Sequence, residues 1–269
     1  MFREHVVRAL RATGLLQLYD TAKFGACTLS ARNANRAFIA EHPTLALPPL
    51  SLMYDAYGHV QYSVYHEGGQ AHAAYIHGLA TKVLGQPPTS ILEWGCGPAR
   101  VIRHMPLSPG HRVIGTDYNP DTIAWCRKAV PGIEFIENGL EPPLAIESGS
   151  VELVYALSVF THLSEAMHKA WRDELFRVLR PGGILIATLH GDYYRERHLL
   201  DDEREAYDAG RLVVRGGVRE GRKWFAAFHS PKYVRESFAG PFEVIEHLPS
   251  PLPNSIEQDI WLLRHPSKS

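Results

Sequence analysis

Hydrophobic positions along the chain change between strand-like runs and helix-like spacing, which predicts an α/β fold. Residues 151–159 form a nearly continuous apolar run, typical of a central parallel strand that is buried on both faces. Met167, Trp171 and Leu175 then recur at helical spacing and predict an amphipathic helix. The remaining sheet strands are predicted at residues 91–93, 112–117, 133–138, 184–189, 242–247 and 259–264.

The hydrophobic pattern also divides the chain into parts. Residues 2–19 and 30–41 are helix-like and lie outside the sheet pattern, so we predict a helical N-terminal cap over residues 1–69. The core domain is predicted over residues 70–269, with an insertion at about 191–229. This insertion combines a charged segment with two β-like runs that glycines join, as in a hairpin.

Composition excludes several classes of function. Of the 269 residues 45% are hydrophobic, and the formal charge of −1 gives no overall positive field for nucleic acid. No apolar run reaches the roughly 20 residues of a membrane helix, so membrane insertion is not expected. Three scattered cysteines and the absence of zinc-spaced histidines argue against a metal site and favour a reducing cytoplasm.

A glycine turn follows the first predicted strand. Gly95 and Gly97 stand at alternate positions after Glu93, and glycine lets the backbone pass close to a ligand. Asp117 ends the second strand 24 residues after Glu93, where a carboxylate can accept both ribose hydroxyls of a nucleoside. Because Asn119 and Pro120 already form a good helix start, Asp117 is free for this role. A helix is predicted directly after the turn, from Arg100.

The glycine turn resembles the first motif of the class I S-adenosylmethionine-dependent methyltransferases, with Ala99 where a glycine is more usual. Residues 158–163 and 177–183 resemble later segments of small-molecule methyltransferases. The resemblance implies a Rossmann-like, seven-stranded, mostly parallel sheet with an antiparallel last strand, and S-adenosylmethionine as cofactor with S-adenosylhomocysteine as product. It also implies that a tyrosine just before the core, Tyr62 or Tyr65, covers the cofactor, and we predict Tyr65 for this role. The cofactor contacts that it implies come from Glu93, Gly95, Cys96, Gly97, Asp117, Tyr118, Asn138, Gly139, Leu140 and Leu157.

Methyl transfer to a hydroxyl benefits from a positioned base, and histidine is the usual choice because its pKa lies near neutrality. Three histidines stand at or near predicted strand ends, each with a structural role as the alternative. His190 is the first candidate, with His162 and His229 after it. We therefore expect methyl transfer to an oxygen or nitrogen of a small molecule of sugar, glycolipid or natural-product type.

Two alternatives remain open on the sequence alone. A binding module of the same fold that has lost catalysis would keep the cofactor residues. An NAD-dependent enzyme would use a similar sheet, but Pro98 and Arg100 in the turn argue against it. A homo-oligomer is compatible with the sequence, and the acceptor's identity does not follow from it.

Overall fold

The computed structural model describes residues 2–252 and 256–267 of the chain. Its helices are α1 Phe2–Ala12, α2 Leu16–Glu41, α3 Leu50–Tyr57, α4 Tyr62–Leu84, α5 Pro120–Ala129, α6 Glu165–Val178, α7 Asp192–His198, α8 Asp201–Asp208 and the short α9 Pro231–Tyr233, which continues as a π-helical turn, Val234–Phe238. Its strands are β1 Ser90–Trp94, β2 Arg112–Asp117, β3 Glu134–Glu137, β4 Val151–Ala156, β5 Leu179–Leu189, β6 Val213–Arg215, β7 Ala226–Phe228, β8 Glu243–Leu248 and β9 Asp259–Arg264.

Seven of these strands form one sheet in the order β3-β2-β1-β4-β5-β9-β8. The neighbours from β3 to β5 pair in parallel, whereas β9 runs antiparallel to both β5 and β8. This arrangement confirms the predicted Rossmann-like class I methyltransferase fold. The order reverses beside β1, where β2 lies on one side and β4 on the other, and ligands bind at such a point in open α/β sheets.

Each face of the sheet has its own hydrophobic core, because successive side chains of a strand point to opposite faces. On one face Trp94 packs against Trp171 of α6, with ring centroids 4.6 Å apart. On the other face Tyr155 of β4 shares a core with Ile76 of α4 and Ile123 of α5. The two cores fix the strand ends that carry the candidate site.

Helix α4 runs through the predicted boundary between residues 69 and 70, so that boundary does not separate two structural parts. Gly68 and Gly69 lie inside this helix. A Cβ atom at Gly69 would lie 2.0 Å from the carbonyl oxygen of Arg100, so glycine allows α4 to pack directly on the loop after β1. Packing of this kind outweighs the roughly 1 kcal/mol that glycine costs in a helix.

The described residues 100–104 do not form the α-helix that was predicted after the glycine turn. Only a 3₁₀ turn, Ile102–His104, follows there. Residue Ala99 adopts a positive φ of 56°, which a right-handed helix does not allow, and Met105 is already extended.

Residues 191–229, predicted as an insertion, contain α7, α8 and an antiparallel β6-β7 pair. The cap reaches this insertion through the Arg11 side chain, which donates hydrogen bonds to the carbonyl oxygens of Arg215, Gly216 and Trp224 at 2.6 to 2.7 Å. The cap and the insertion, which are far apart in sequence, therefore contact each other across the edge of the sheet where the parallel strands end.

Candidate active site

One cavity of about 940 Å³ lies at the carboxyl ends of the parallel strands. Its walls include the ends of β1, β2 and β4, the loops after them, and residues from the cap and the insertion. Cavities of about 300 to 1,000 Å³ are typical of small-molecule and cofactor sites. The following residues of the predicted cofactor set line it: Glu93, Gly95, Cys96, Gly97, Asp117, Tyr118, Asn138, Gly139, Leu140 and Leu157.

The glycine loop after β1 closes one end of the cavity. Gly95 and Gly97 have positive φ values of 74° and 51°. A Cβ atom at Gly95 would lie 2.4 Å from a methyl carbon of Val159, and one at Gly97 would lie 2.9 Å from the Tyr57 hydroxyl. Both positions therefore need glycine for conformation and for space.

Asp117 lies where β2 ends and faces the same loop. Its Oδ2 accepts a hydrogen bond from the Gly97 backbone N–H at 2.9 Å, and its Oδ1 accepts one from Asn119 at 2.8 Å. Burial raises the pKa of the Asp117 carboxyl, and these two backbone donors oppose the shift. Since each carboxylate oxygen can accept more than one hydrogen bond, Asp117 can still bind a ligand hydroxyl from the cavity.

Glu93 is a buried acid in the wall beside the loop. Its Oε2 accepts hydrogen bonds from the Tyr155 hydroxyl and the Ile102 backbone N–H, both at 3.0 Å. Burial raises the pKa of Glu93 to about 8. Burial thus favours the protonated form of this carboxyl, a property that the sequence did not indicate.

The far end of the cavity is lined by the loop after β3. The Asn138 side-chain nitrogen donates to the Gly139 carbonyl oxygen at 2.6 Å, whereas its Oδ1 is buried and has no partner among the described residues. Tyr118 donates its hydroxyl proton to the carbonyl oxygen of Gly221 in the insertion at 3.0 Å. This end thus offers one unused acceptor under a covering loop.

Of the three candidate histidines, only His162 lines the cavity. Its Nδ1 lies 2.7 Å from the Phe225 carbonyl oxygen, and because a carbonyl only accepts, Nδ1 carries the proton. Burial lowers the pKa of His162, so the ring is neutral at neutral pH and Nε2 holds a lone pair.

His190 and His229 lie behind the cavity wall. The His190 ring stacks on Tyr194 at 4.0 Å, its Nδ1 lies 3.0 Å from the Ala227 carbonyl oxygen, and burial lowers its pKa to about 3. The Nε2 atom of His229 lies 3.2 Å from that of His168 inside the protein. Neither side chain reaches the cavity, because the insertion folds over both of them.

Tyr65 is buried outside the cavity, which contradicts its expected covering role. Its hydroxyl donates to the Pro98 carbonyl oxygen at 2.6 Å and supports the glycine loop from behind. Tyr57 of α3 lies over the loop instead: its hydroxyl is 3.3 Å from the Arg100 backbone nitrogen, which donates to it. Tyr57 was not among the tyrosines that the sequence predicted for this role.

Residues of the cap and of the insertion meet in one wall of the cavity, which is called the covering layer below. Lys223 of the insertion forms a 2.9 Å ion pair with Asp20 of α2, and its ammonium lies 3.5 Å from the centre of the Tyr54 ring. Gly221 donates its backbone N–H to the His162 carbonyl oxygen at 2.9 Å. The layer therefore joins the cap to the loop that carries His162.

Over residues 2–252 and 256–267, no group of three or more metal-binding side chains is positioned to hold a metal ion. Within the same ranges no helix has the length and apolar character needed to cross a membrane.

Comparison with known proteins gives one family match: residues 92–187 match the methyltransferase domain family. The trans-aconitate 2-methyltransferase of Azoarcus sp. (strain BH72) is 29% identical over 139 residues, covering 50% of this chain and 52% of that protein. The demethylmenaquinone methyltransferase of Chlorobaculum parvum is 34% identical over 179 residues, covering 66% of this chain and 62% of that protein. The chain thus spans less than two thirds of the length of either relative.

A solved structure has the same fold. It is the 1,6-didemethyltoxoflavin-N1-methyltransferase of Burkholderia thailandensis with bound 1,6-didemethyltoxoflavin and S-adenosylhomocysteine. The TM-score is 0.50 and the identity 18%, over 77% of this chain and 85% of that one. At this identity the similarity concerns the fold alone.

Proposed function

Because this chain belongs to the class I S-adenosylmethionine-dependent methyltransferases, we propose that it transfers a methyl group from S-adenosylmethionine to an oxygen or nitrogen of a small-molecule acceptor. The observation that carries the proposal is that one cavity is lined both by the glycine loop with Asp117 and by His162, whose Nδ1 proton is held by a carbonyl oxygen. A cofactor wall and a candidate base thus share one space.

The cofactor wall fits S-adenosylmethionine on two structural grounds. Asn138 leaves a buried acceptor unused, as an adenine amine requires, and the glycine positions leave space that any Cβ atom would fill. In this proposal Asp117 holds the ribose and Gly139 and Leu140 border the adenine. The cofactor supplies an activated methyl group on a sulfonium, so the protein mainly has to orient the two reactants and exclude water.

His162 is our proposed general base. Its Nδ1 proton is fixed on the Phe225 carbonyl, which leaves Nε2 as the atom that can take a proton from an acceptor hydroxyl. His190 and His229 cannot take this role, since neither lines the cavity. An amine acceptor that arrives neutral would need His162 less.

The acceptor we propose is a small molecule of sugar, glycolipid or natural-product type. The contacts of Lys223 with Asp20 and Tyr54 join the cap to the insertion beside the cavity, whose volume of about 940 Å³ is in the range of small-molecule sites. Trans-aconitate and demethylmenaquinone, named for the two relatives, are the first acceptors to test.

Calorimetric titration with S-adenosylhomocysteine tests the cofactor part. We expect Asp117→Ala to weaken binding by about 1.5 to 3 kcal/mol, the value of hydrogen bonds to a charged group. Asp121→Ala is the matched control, because Asp121 is an exposed carboxylate four residues further on in α5 and does not line the cavity. Its affinity should equal that of the wild type.

Turnover is then measured as S-adenosylhomocysteine release from S-adenosylmethionine with each acceptor. Binding without turnover on a broad acceptor panel would favour the non-catalytic binding module. Failure of the wild type to bind S-adenosylhomocysteine, together with binding of NAD in a fluorescence titration, would favour the NAD-dependent alternative and contradict our proposal.

A further inference from the structure

Uncharged polar side chains form a hydrogen-bonded network in the cavity wall where β4 and β5 end. The polar network joins Ser158 and Thr161, which follow β4, to Thr188 of β5 and to Gln258, which precedes β9. Ser158, Thr188 and Gln258 line the cavity. Ser158 has a positive φ of 62°, which is unfavourable for a residue with a side chain. Hydrogen bonds to its N–H, carbonyl oxygen and hydroxyl hold it there, so the wall has one fixed arrangement.

The direction of each hydrogen bond in the polar network follows from its neighbours. Thr161 Oγ1 donates to the Ser158 carbonyl oxygen at 2.6 Å, so the Ser158 hydroxyl donates to Thr161 Oγ1, 3.0 Å away. The Ser158 N–H donates to Thr188 Oγ1 at 2.8 Å, and Thr188 gives its own proton to Gln258 Oε1 at 2.5 Å. Gln258 Nε2 donates to Ser158 Oγ at 2.7 Å. One N–H of the Gln258 amide is left over.

This remaining N–H contacts the hydroxyl of Tyr194 in α7. Burial, and then the nearby Glu257 carboxylate, raise the pKa of Tyr194, whereas a hydrogen bond from the Gln258 side chain lowers it. A contact that favours the phenolate is one in which the amide donates to the phenol oxygen. The Tyr194 hydroxyl therefore accepts from the polar network and keeps its own proton, which no described residue accepts. The polar network thus ends in one O–H donor at the cavity, which Tyr194 lines.

Tyr194 lies at the same end of the cavity as His162, the proposed base. The Tyr194 ring stacks on the ring of His190, with centroids 4.0 Å apart. Burial lowers the pKa of His190, and the nearby His162 lowers it further. His162 itself lines the cavity. One small molecule can therefore contact both the base and the unused O–H donor.

We propose that Tyr194 is a specificity-determining residue that donates a hydrogen bond to a carbonyl oxygen of the acceptor, with Gln258 as the residue that positions its hydroxyl. The inference rests on the proposed function, and it narrows the acceptor to a small molecule that carries a hydroxyl group and an uncharged carbonyl group. A carbonyl oxygen suits this position because it only accepts, and the hydroxyl of Tyr194 has only a proton to offer.

The charges at this end of the cavity favour a ketone over a carboxylate. The side chains of the polar network carry no charge, and the charged group that acts on Tyr194 is the Glu257 carboxylate. Burial lowers the pKa of His162, so its ring adds no positive charge at neutral pH. A carboxylate bound to Tyr194 would face the like charge of Glu257, whereas a ketone would not.

Two phenols that differ in one carbonyl group test this inference. Hydroxyacetophenone carries a hydroxyl and a ketone, and ethylphenol has the same carbon skeleton and hydroxyl without the ketone; each is used as its meta and its para isomer. They are titrated calorimetrically at neutral pH into protein saturated with S-adenosylhomocysteine, and trans-aconitate is the carboxylate probe.

Three variants separate the hydroxyl of Tyr194 from its ring. Tyr194→Phe keeps the ring that stacks on His190 and removes only the hydroxyl. Tyr193→Phe is the matched control, because it removes a hydroxyl from the neighbouring residue, which does not line the cavity. Gln258→Glu places a carboxylate where the amide donates, so the Tyr194 proton turns to it and is lost to the ligand. Thermal melts that match the wild type establish that the variants are folded.

We expect the wild type to bind at least one hydroxyacetophenone isomer about 3- to 30-fold more tightly than the matching ethylphenol. Tyr194→Phe and Gln258→Glu should reduce this preference to within about twofold and leave ethylphenol affinity unchanged, since the hydrogen bond to the ketone is what they remove. Tyr193→Phe should keep the wild-type preference, and trans-aconitate should bind more weakly than the preferred hydroxyacetophenone.

Four other outcomes overturn the inference. Equal binding of ketone and ethyl compounds by the wild type, or no binding of either, would mean that Tyr194 does not select a carbonyl group. Equal losses for both compounds in Tyr194→Phe would leave the residue a packing role only. Tighter binding of trans-aconitate would assign a carboxylate acceptor. If the wild type does not bind S-adenosylhomocysteine, the proposed function fails as well, whereas S-adenosylhomocysteine binding without a ketone preference overturns the role of Tyr194 alone.

Discussion

Replacing Gly95 with alanine tests whether the loop geometry depends on the absence of a side chain. The φ of 74° is unfavourable for alanine by about 1 to 2 kcal/mol. The added Cβ would also lie 2.4 Å from Val159 Cγ2, and overpacking of this kind costs about 1 to 3 kcal/mol more. The free energy of unfolding should therefore fall by about 2 to 5 kcal/mol.

The matched control is Gly149→Ala. Gly149 has a similar φ of 66° but open space around the position, so only the conformational cost applies. An unfolding entropy of about 2.1 cal/mol/K per residue means that each kcal/mol lowers Tm by about 2 °C in this chain. We expect Tm to fall by about 2 to 4 °C for Gly149→Ala and about 4 to 9 °C for Gly95→Ala, measured by circular dichroism.

A double-mutant cycle isolates the steric part. Val159→Ala removes the methyl groups that the new Cβ would meet, so Gly95→Ala combined with Val159→Ala should be less destabilised than the two single changes together. Equal Tm losses for Gly95→Ala and Gly149→Ala, or strict additivity in the cycle, would refute the reasoning.

Three further predictions concern charge and catalysis. Burial raises the pKa of Glu93 to about 8, so the folded protein holds this proton more tightly than the unfolded chain and should lose stability as pH rises towards and through 8. Glu93→Gln should remove this loss. We therefore expect a Tm difference between the variant and the wild type that grows between about pH 5 and about pH 9. With a hydroxyl acceptor, His162→Gln should lower kcat about 10²- to 10⁴-fold and leave S-adenosylhomocysteine affinity unchanged; a lost affinity would indicate a structural role instead. Lys223→Met should cost about 1 to 2 kcal/mol in urea unfolding, because it removes a partly buried ion pair with Asp20 and a cation–π contact. Its control, Arg8→Met, loses a pair that is 61% exposed on both sides and should cost about 0.5 kcal/mol or less; equal costs would contradict this account of the covering layer.

Local sequence was sufficient for much of the fold. The second strand was predicted at residues 112–117 and is found there, because apolar runs and the Asn119-Pro120 helix start depend on near neighbours. The glycine loop and the placement of Asp117 at a strand end followed for the same reason. The helix expected from Arg100 was wrong, because a short 3₁₀ turn follows the loop instead, and α4 crosses the boundary predicted between residues 69 and 70.

The sequence by itself therefore determined the sheet, the glycine loop and the acid that faces it, since backbone preference and hydrophobic period act over a few residues. Only the tertiary structure decided that His162 reaches the cavity while His190 does not, and that Tyr57 rather than Tyr65 covers the loop. These outcomes depend on contacts between the cap, the insertion and the strand ends, and no local pattern encodes which of several similar side chains will meet across such distances.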